Sequence, residues 1–70
     1  YEAVGELGSD MEVVEDWEEP FRKGVIYYRR NAQVRGVLLW NVWDRLDAAQ
    51  ELIAAHETLS TQALIGRISN

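Results

Sequence analysis

Residues 36–53 read GVLLWNVWDRLDAAQELI, and how this stretch is divided decides the fold. Gly36 to Trp40 is an apolar run of strand length. From Leu46 the apolar residues recur at helical spacing: Leu46, Ala49 and Ile53, with Leu52 beside them and Val42 extending the stripe backward. The period changes at Trp40-Asn41-Val42-Trp43, where one polar residue stands between two tryptophans. A polar Asn41 at such a corner can bond backbone groups that neither strand nor helix satisfies. Asp44 or Asp47 is then the candidate to accept orphan N–H groups at the helix start.

Upstream, Gly24 to Arg30 (GVIYYRR) and Gln33 to Trp40 (QVRGVLLW) are two strands separated by Asn31-Ala32, a hairpin whose Asn31 can take the left-handed conformation. Met11 to Trp17 reads as an earlier strand and Tyr1 to Leu7 as the first. Gly8-Ser9-Asp10 between them has turn chemistry, so these two are expected to form a hairpin of their own. Glu18 to Lys23, with Pro20 inside, reads as a loop. A short second helix is expected over about Ser60 to Ile68, capped by Ser60, with Leu64, Ile65 and Ile68 as its apolar side. Ser69-Asn70 carries no pattern. The order, strands then helices, predicts an α+β fold: a small antiparallel sheet of about four strands followed by one or two helices packed on one face.

A sheet covered on one face should alternate apolar and polar residues. The third strand does not: Val25 and Tyr27 point one way, Ile26 and Tyr28 the other. In the fourth, Val34, Leu38 and Trp40 oppose Val37 and Leu39. Two short helices can cover only one of these faces. The other is expected to meet a second domain, a second copy or a ligand, unless a curled sheet covers it with its own loops. Tyr28, Val37, Leu39 and Trp40 are the candidates to line that interface. Trp40 and Trp43 are either anchors locking the corner or an aromatic wall toward a partner, and Trp17 is expected to pack at an edge.

Seventy residues make at most one domain, and a chain this short buries only about 60% of its unfolded surface. There is no cysteine to add a disulfide or a thiolate ligand. The net charge of −5 is unevenly spread: residues 1–20 hold eight acids and no base, residues 21–36 five bases and no acid. Pairing between acidic and basic strands explains this more simply than a nucleic-acid surface, which the acidic half would repel. No apolar run approaches the roughly 20 residues of a membrane span, and no signal-peptide pattern opens the chain. Neither nucleic acid nor membrane is expected as a partner. His56, the only histidine, reads as a helix C-terminal residue beside Glu57 and not as a catalytic group or metal ligand. No GxGxxG, P-loop or EF-hand spacing occurs, so no catalytic residue is assigned, and the chain by itself is not expected to be an enzyme.

The strand Lys23 to Tyr28, the strand Gly36 to Asn41, and the helix Asp47 to Ile53 with its adjacent alanines resemble, in that order, the C-terminal region of the apoptosis-inducing factor and bacterial ferredoxin (rubredoxin) reductase family. Tyr1 to Gly5 (YEAVG) resembles the segment that opens that region. The likeness covers most of residues 1–56. It implies a parent that is an FAD-dependent NAD(P)H oxidoreductase passing electrons to a ferredoxin- or rubredoxin-type acceptor. It also implies that residues 1–70 are its C-terminal domain, packed against the flavin-binding domains or supporting a homodimer. No cofactor is expected in the isolated chain, although Trp40 and Trp43 could wall the flavin side. The Tyr1 start, in place of Met, fits a piece of a longer polypeptide or a processed terminus. The short link between the second and third strands resembles the bacterial reductases, and predicts a bacterial, cytoplasmic parent.

Overall fold

A computed structural model of the chain describes residues 2–19 and 22–68. Tyr1, Pro20-Phe21 and the Ser69-Asn70 tail, to which the sequence assigns strand, loop and no pattern, lie outside the described residues; the loop expected over Glu18 to Lys23 is narrower, because Glu18, Glu19 and Lys23 belong to strands. Four strands, β1 (Glu2–Gly5), β2 (Glu12–Glu19), β3 (Lys23–Arg30) and β4 (Gln33–Trp40), are followed by helices α1 (Leu46–Ala55) and α2 (Thr61–Leu64). The expected α+β architecture is present.

The hairpin β3–β4 turns through Asn31 and Ala32, both at positive φ (54° and 62°). This two-residue turn matches the right-handed twist of the strands it joins. The expected β1–β2 hairpin does not form. The sheet order is β1-β4-β3-β2, antiparallel at each pairing, a Greek-key order read from its C-terminal end. Gly8-Ser9-Asp10 does turn the chain, with the Met11 N–H donating to the Gly8 carbonyl at 3.2 Å. Turn chemistry reverses direction locally but does not select a pairing partner. Residues 6–11 carry the chain from one edge of the sheet to the other, roughly three strand spacings or about 14 Å.

One face of the sheet carries Val4, Val14, Val25, Tyr27, Val34, Val37 and Leu39, packed against Val42, Ala49, Leu52, Leu64 and Ile68. Strict alternation would put Val34 with Leu38 and Trp40 on the opposite face. A β-bulge corrects this: Tyr28 pairs with Gly36 but Arg29 with Val34, leaving Arg35 as the extra residue. One inserted residue returns Val34 to the face of Val37 and Leu39.

Helix α1 packs on β1 and β4, and α2 on β2. Good helix formers fill α1. Its N-cap is Arg45, which makes no side-chain capping bond. Asp44, at φ 60°, turns the chain instead of capping, while Asp47 lies in the first turn and complements the dipole. His56 closes α1 in the left-handed conformation, its N–H 3.4 Å from the Ile53 carbonyl. Ser60 caps α2 as expected, accepting from the Ala63 N–H at 3.2 Å. The second helix is shorter than expected: it stops at Leu64, where Ile65 turns extended (φ −62°, ψ 124°), Gly66 follows at φ 77° and the Arg67 N–H donates back to the Leu64 carbonyl at 3.0 Å; Leu64 and Ile68 are buried, whereas Ile65 is exposed.

The charge asymmetry resolves into ion pairs. Glu12 and Arg29 are opposite each other on β2 and β3 and approach to 2.7 Å. Lys23 meets Glu18 at 3.2 Å, and Arg30 meets Asp10 at 3.3 Å and Glu6 at 3.7 Å. Arg29 is itself buried and also donates to the Leu59 carbonyl at 2.8 Å.

Candidate functional site: the uncovered face of the sheet

Ile26, Tyr28, Leu38 and Trp40 alternate with the core residues of β3 and β4, so they point away from the helices. The register extends this face across all four strands. Ala3 lies opposite Leu38, Leu38 opposite Ile26, Val13 opposite Tyr28, and Gly24 between Trp40 and Trp17. Val13 is 46% exposed and Trp40 37%, while Ile26, Tyr28, Leu38 and Trp17 are half-buried. A single apolar residue on a surface is ordinary, but Ile26, Tyr28, Leu38 and Trp40 gather on one sheet face, with Glu15 opposite Ile26 as its polar member, and make that face the candidate interaction surface.

Two glycines shape the surface. At Gly24 a Cβ would stand 2.6 Å from Trp17 Cε3, so the indole lies where a side chain would otherwise project. The Trp17 Nε1–H donates to Glu15 Oε1 at 2.7 Å and holds the ring there. At Gly36 a Cβ would come within 1.8 Å of the Glu6 carbonyl oxygen and 3.0 Å of Leu7 Cδ2. The chain leaving β1 therefore crosses close over Gly36. The sheet's own residues cover these two places and leave the Leu38–Ile26 centre between them.

Of the four residues expected to line the interface, Tyr28 and Trp40 are on this face. Val37 and Leu39 are not: both are fully buried beneath the helices. Successive residues of a strand point to opposite faces, so Leu38 takes the place assigned to Leu39. Val13, on an edge strand rich in acids, went unassigned, although its alternation with Glu12 and Val14 carried the signal.

Trp40 and Trp43 flank the corner without anchoring the core, since Trp43 is 60% exposed. Val42 between them is the buried anchor. Asn41, at φ 56°, turns the chain, and its Nδ2 donates to the Arg22 carbonyl, tying the corner to the segment entering β3. The bond expected of this polar residue is present.

Beneath the helices, Tyr27 is fully buried. Burial pushes its hydroxyl up to about 12; the Ile68 backbone works against the rise. No hydrogen bond of good geometry reaches that hydroxyl among the described residues. Those residues also contain no group of three acidic, histidine or cysteine side chains placed to hold a metal ion, and no helix long and apolar enough to cross a membrane. Among them, too, no strand runs through a glycine-rich loop into a helix.

The geometry defines a small α+β packing domain with one closed and one open apolar face. Residues 2–55 match the family model described as apoptosis-inducing factor, mitochondrion-associated, C-term, and the chain belongs to that family of oxidoreductase C-terminal domains. It is 34% identical over 68 residues to apoptosis-inducing factor 1, mitochondrial, of Dictyostelium discoideum, an alignment covering 84% of this chain and 13% of that protein. The chain thus spans a small part of the relative's length. The mitochondrial description of that relative overturns the expectation of a bacterial, cytoplasmic parent. That expectation rested on the length of one surface link, and loop length varies freely among related proteins without regard to compartment.

Proposed function

We propose that this chain is the non-catalytic C-terminal domain of an FAD-dependent NAD(P)H:acceptor oxidoreductase, and that its uncovered sheet face packs against the flavin-binding domains of the same polypeptide. The observation that carries this is the open Leu38–Ile26–Tyr28 face rimmed by Trp17, Trp40 and Val13. A folded domain leaves such a surface open where another surface closes on it. Family membership supports the oxidoreductase parent. FAD and NAD(P)H would be held by other parts of that parent. This chain's share is to present a rigid apolar face, and the strand pairing fixes the positions of Tyr28 and Trp40 on it. A ferredoxin- or rubredoxin-type protein is the acceptor proposed for the whole enzyme.

A second reading rests on the same face: a self-associating interaction domain that closes the surface with another copy of itself. Sequencing the coding region upstream of Tyr1 separates the two. A reading frame that continues through two glycine-rich dinucleotide motifs supports the reductase assignment. A start codon within a few residues of Tyr1 refutes it and favours self-association. On either reading Tyr28→Glu should weaken attachment of this domain, to the flavin domains or to a second copy, while leaving its circular dichroism spectrum unchanged. Attachment unaffected by Tyr28→Glu and by Trp40→Glu would remove this face from consideration.

A further inference from the structure

The core face of the sheet is covered in two halves by two pieces of very different construction. Helix α1 covers β1 and β4 with ten residues of continuous helix. Residues 56–68 cover the β2–β3 half with four residues of helix and an irregular run, seating only Leu59, Leu64 and Ile68 against the core.

Polar bonds fasten both ends of this second piece, and Leu64 is fully buried between them. The Leu59 N–H donates to the Ala32 carbonyl and the Leu59 carbonyl accepts from Arg29, each at 2.8 Å. At the far end the Gly66 N–H donates to Asp16 Oδ2 at 2.7 Å. Residues 56–58 are exposed, as is Gly66, so solvent reaches the backbone at each end. The fit beneath is imperfect: Arg29 Nε is buried without a hydrogen-bond partner among the described residues, and Tyr27 Oη has none of good geometry, although the Ile68 backbone acts on it. Each orphan polar atom penalises the closed arrangement. The match to the family model stops at residue 55, the last residue of α1.

We infer that residues 56–68 form a displaceable strap, which opens as a unit while the sheet and α1 stay folded and so uncovers Val14, Val25 and Tyr27 on the β2–β3 half of the core face. Elements with few buried apolar contacts and exposed backbone hydrogen bonds open well below the free energy of global unfolding. In the open state the β2–β3 half is bare on both faces. The strap therefore controls how much apolar surface the domain presents, independently of the face proposed to pack on the flavin domains.

Native-state hydrogen exchange on the 70-residue chain tests this. The Leu59 and Gly66 amides, which bond across to the sheet, should exchange together, at least about 100-fold faster than the β3–β4 ladder and with little denaturant dependence, as sub-global opening requires. Equal protection and equal denaturant dependence for strap and ladder would overturn the inference. Asp16→Asn weakens the acceptor at the Gly66 end. It should speed exchange at Leu59 and Gly66 alike, by roughly 10-fold, since hydrogen bonds to charged groups are the stronger ones, and leave the ladder unchanged. A change confined to Gly66, or an equal fall throughout the ladder, would show that no cooperative strap exists.

Discussion

Gly24→Ala is the sharpest probe of how the open face is built. The added Cβ would sit 2.6 Å from Trp17 Cε3, 2.8 Å from the Asp16 carbonyl oxygen and 3.0 Å from Trp17 Cα. Two of these three atoms are backbone of the neighbouring strand, so rotating the indole away relieves only part of the clash. Overpacking of this kind costs about 1–3 kcal/mol. A chain of this size has a total stability of only about 4–10 kcal/mol. In a domain this small each kcal/mol moves the midpoint by roughly 4–8 °C, so the drop should be about 5–20 °C. Circular dichroism melting measures it, and tryptophan emission reports the displaced ring. In a Trp17→Leu background the bulky ring is gone, and the same substitution should cost at least about 1 kcal/mol less, a coupling that a double-mutant cycle resolves. A Gly24→Ala midpoint within about 2 °C of the parent, or equal costs in the two backgrounds, would show that Trp17 does not occupy the space over Gly24.

Two further outcomes concern the closed face. Tyr27 keeps its proton up to about 12 in the folded chain against the usual 10.0. Between those values the unfolded chain has lost a proton that the folded one retains. Stability is therefore undiminished below about pH 10 and falls as pH rises toward 12; Tyr27→Phe should abolish that slope in alkaline urea titrations and leave neutral-pH stability equal or up to about 1 kcal/mol higher, because it removes an unpaired hydroxyl. Arg29→Met keeps the buried stem but deserts the Leu59 carbonyl, and should cost about 1.5–3 kcal/mol in denaturant melts, little of it from Glu12, whose side chain is 62% exposed.

The parts of the fold legible in the sequence were those set by local chemistry. Asn31-Ala32 marked a two-residue hairpin, Ser60 a cap, and Leu46 to Ile53 a helix, because each signal and its effect lie within a few residues. The pairing of β1 was not legible in this way, since it depends on which strand edge remains open after β2, β3 and β4 have joined. Arg35 hid the bulge, and with it the true side of Val34, because a bulge leaves no mark in composition. The open face followed from Ile26 and Tyr28 alternating with Val25 and Tyr27. Its exact membership needed the register, which exchanged Leu39 for Leu38 and added Val13. The exposure of Trp43 was also out of reach, because an aromatic residue beside a buried valine looks the same in sequence whichever of the two turns inward.

The sheet order also bears on synthesis. Of these four strands β1 is made before the others, yet its partner is β4, with pairs running from Gly5–Gly36 to Glu2–Leu39. At about 5–20 residues per second, β1 waits roughly 2–8 s for that partner to exist. The β2–β3–β4 meander needs only neighbouring segments and can assemble in the meantime. The earliest strand is therefore the last to find its place. Its arrival is what draws the chain across Gly36, where any side chain larger than hydrogen would block the passage.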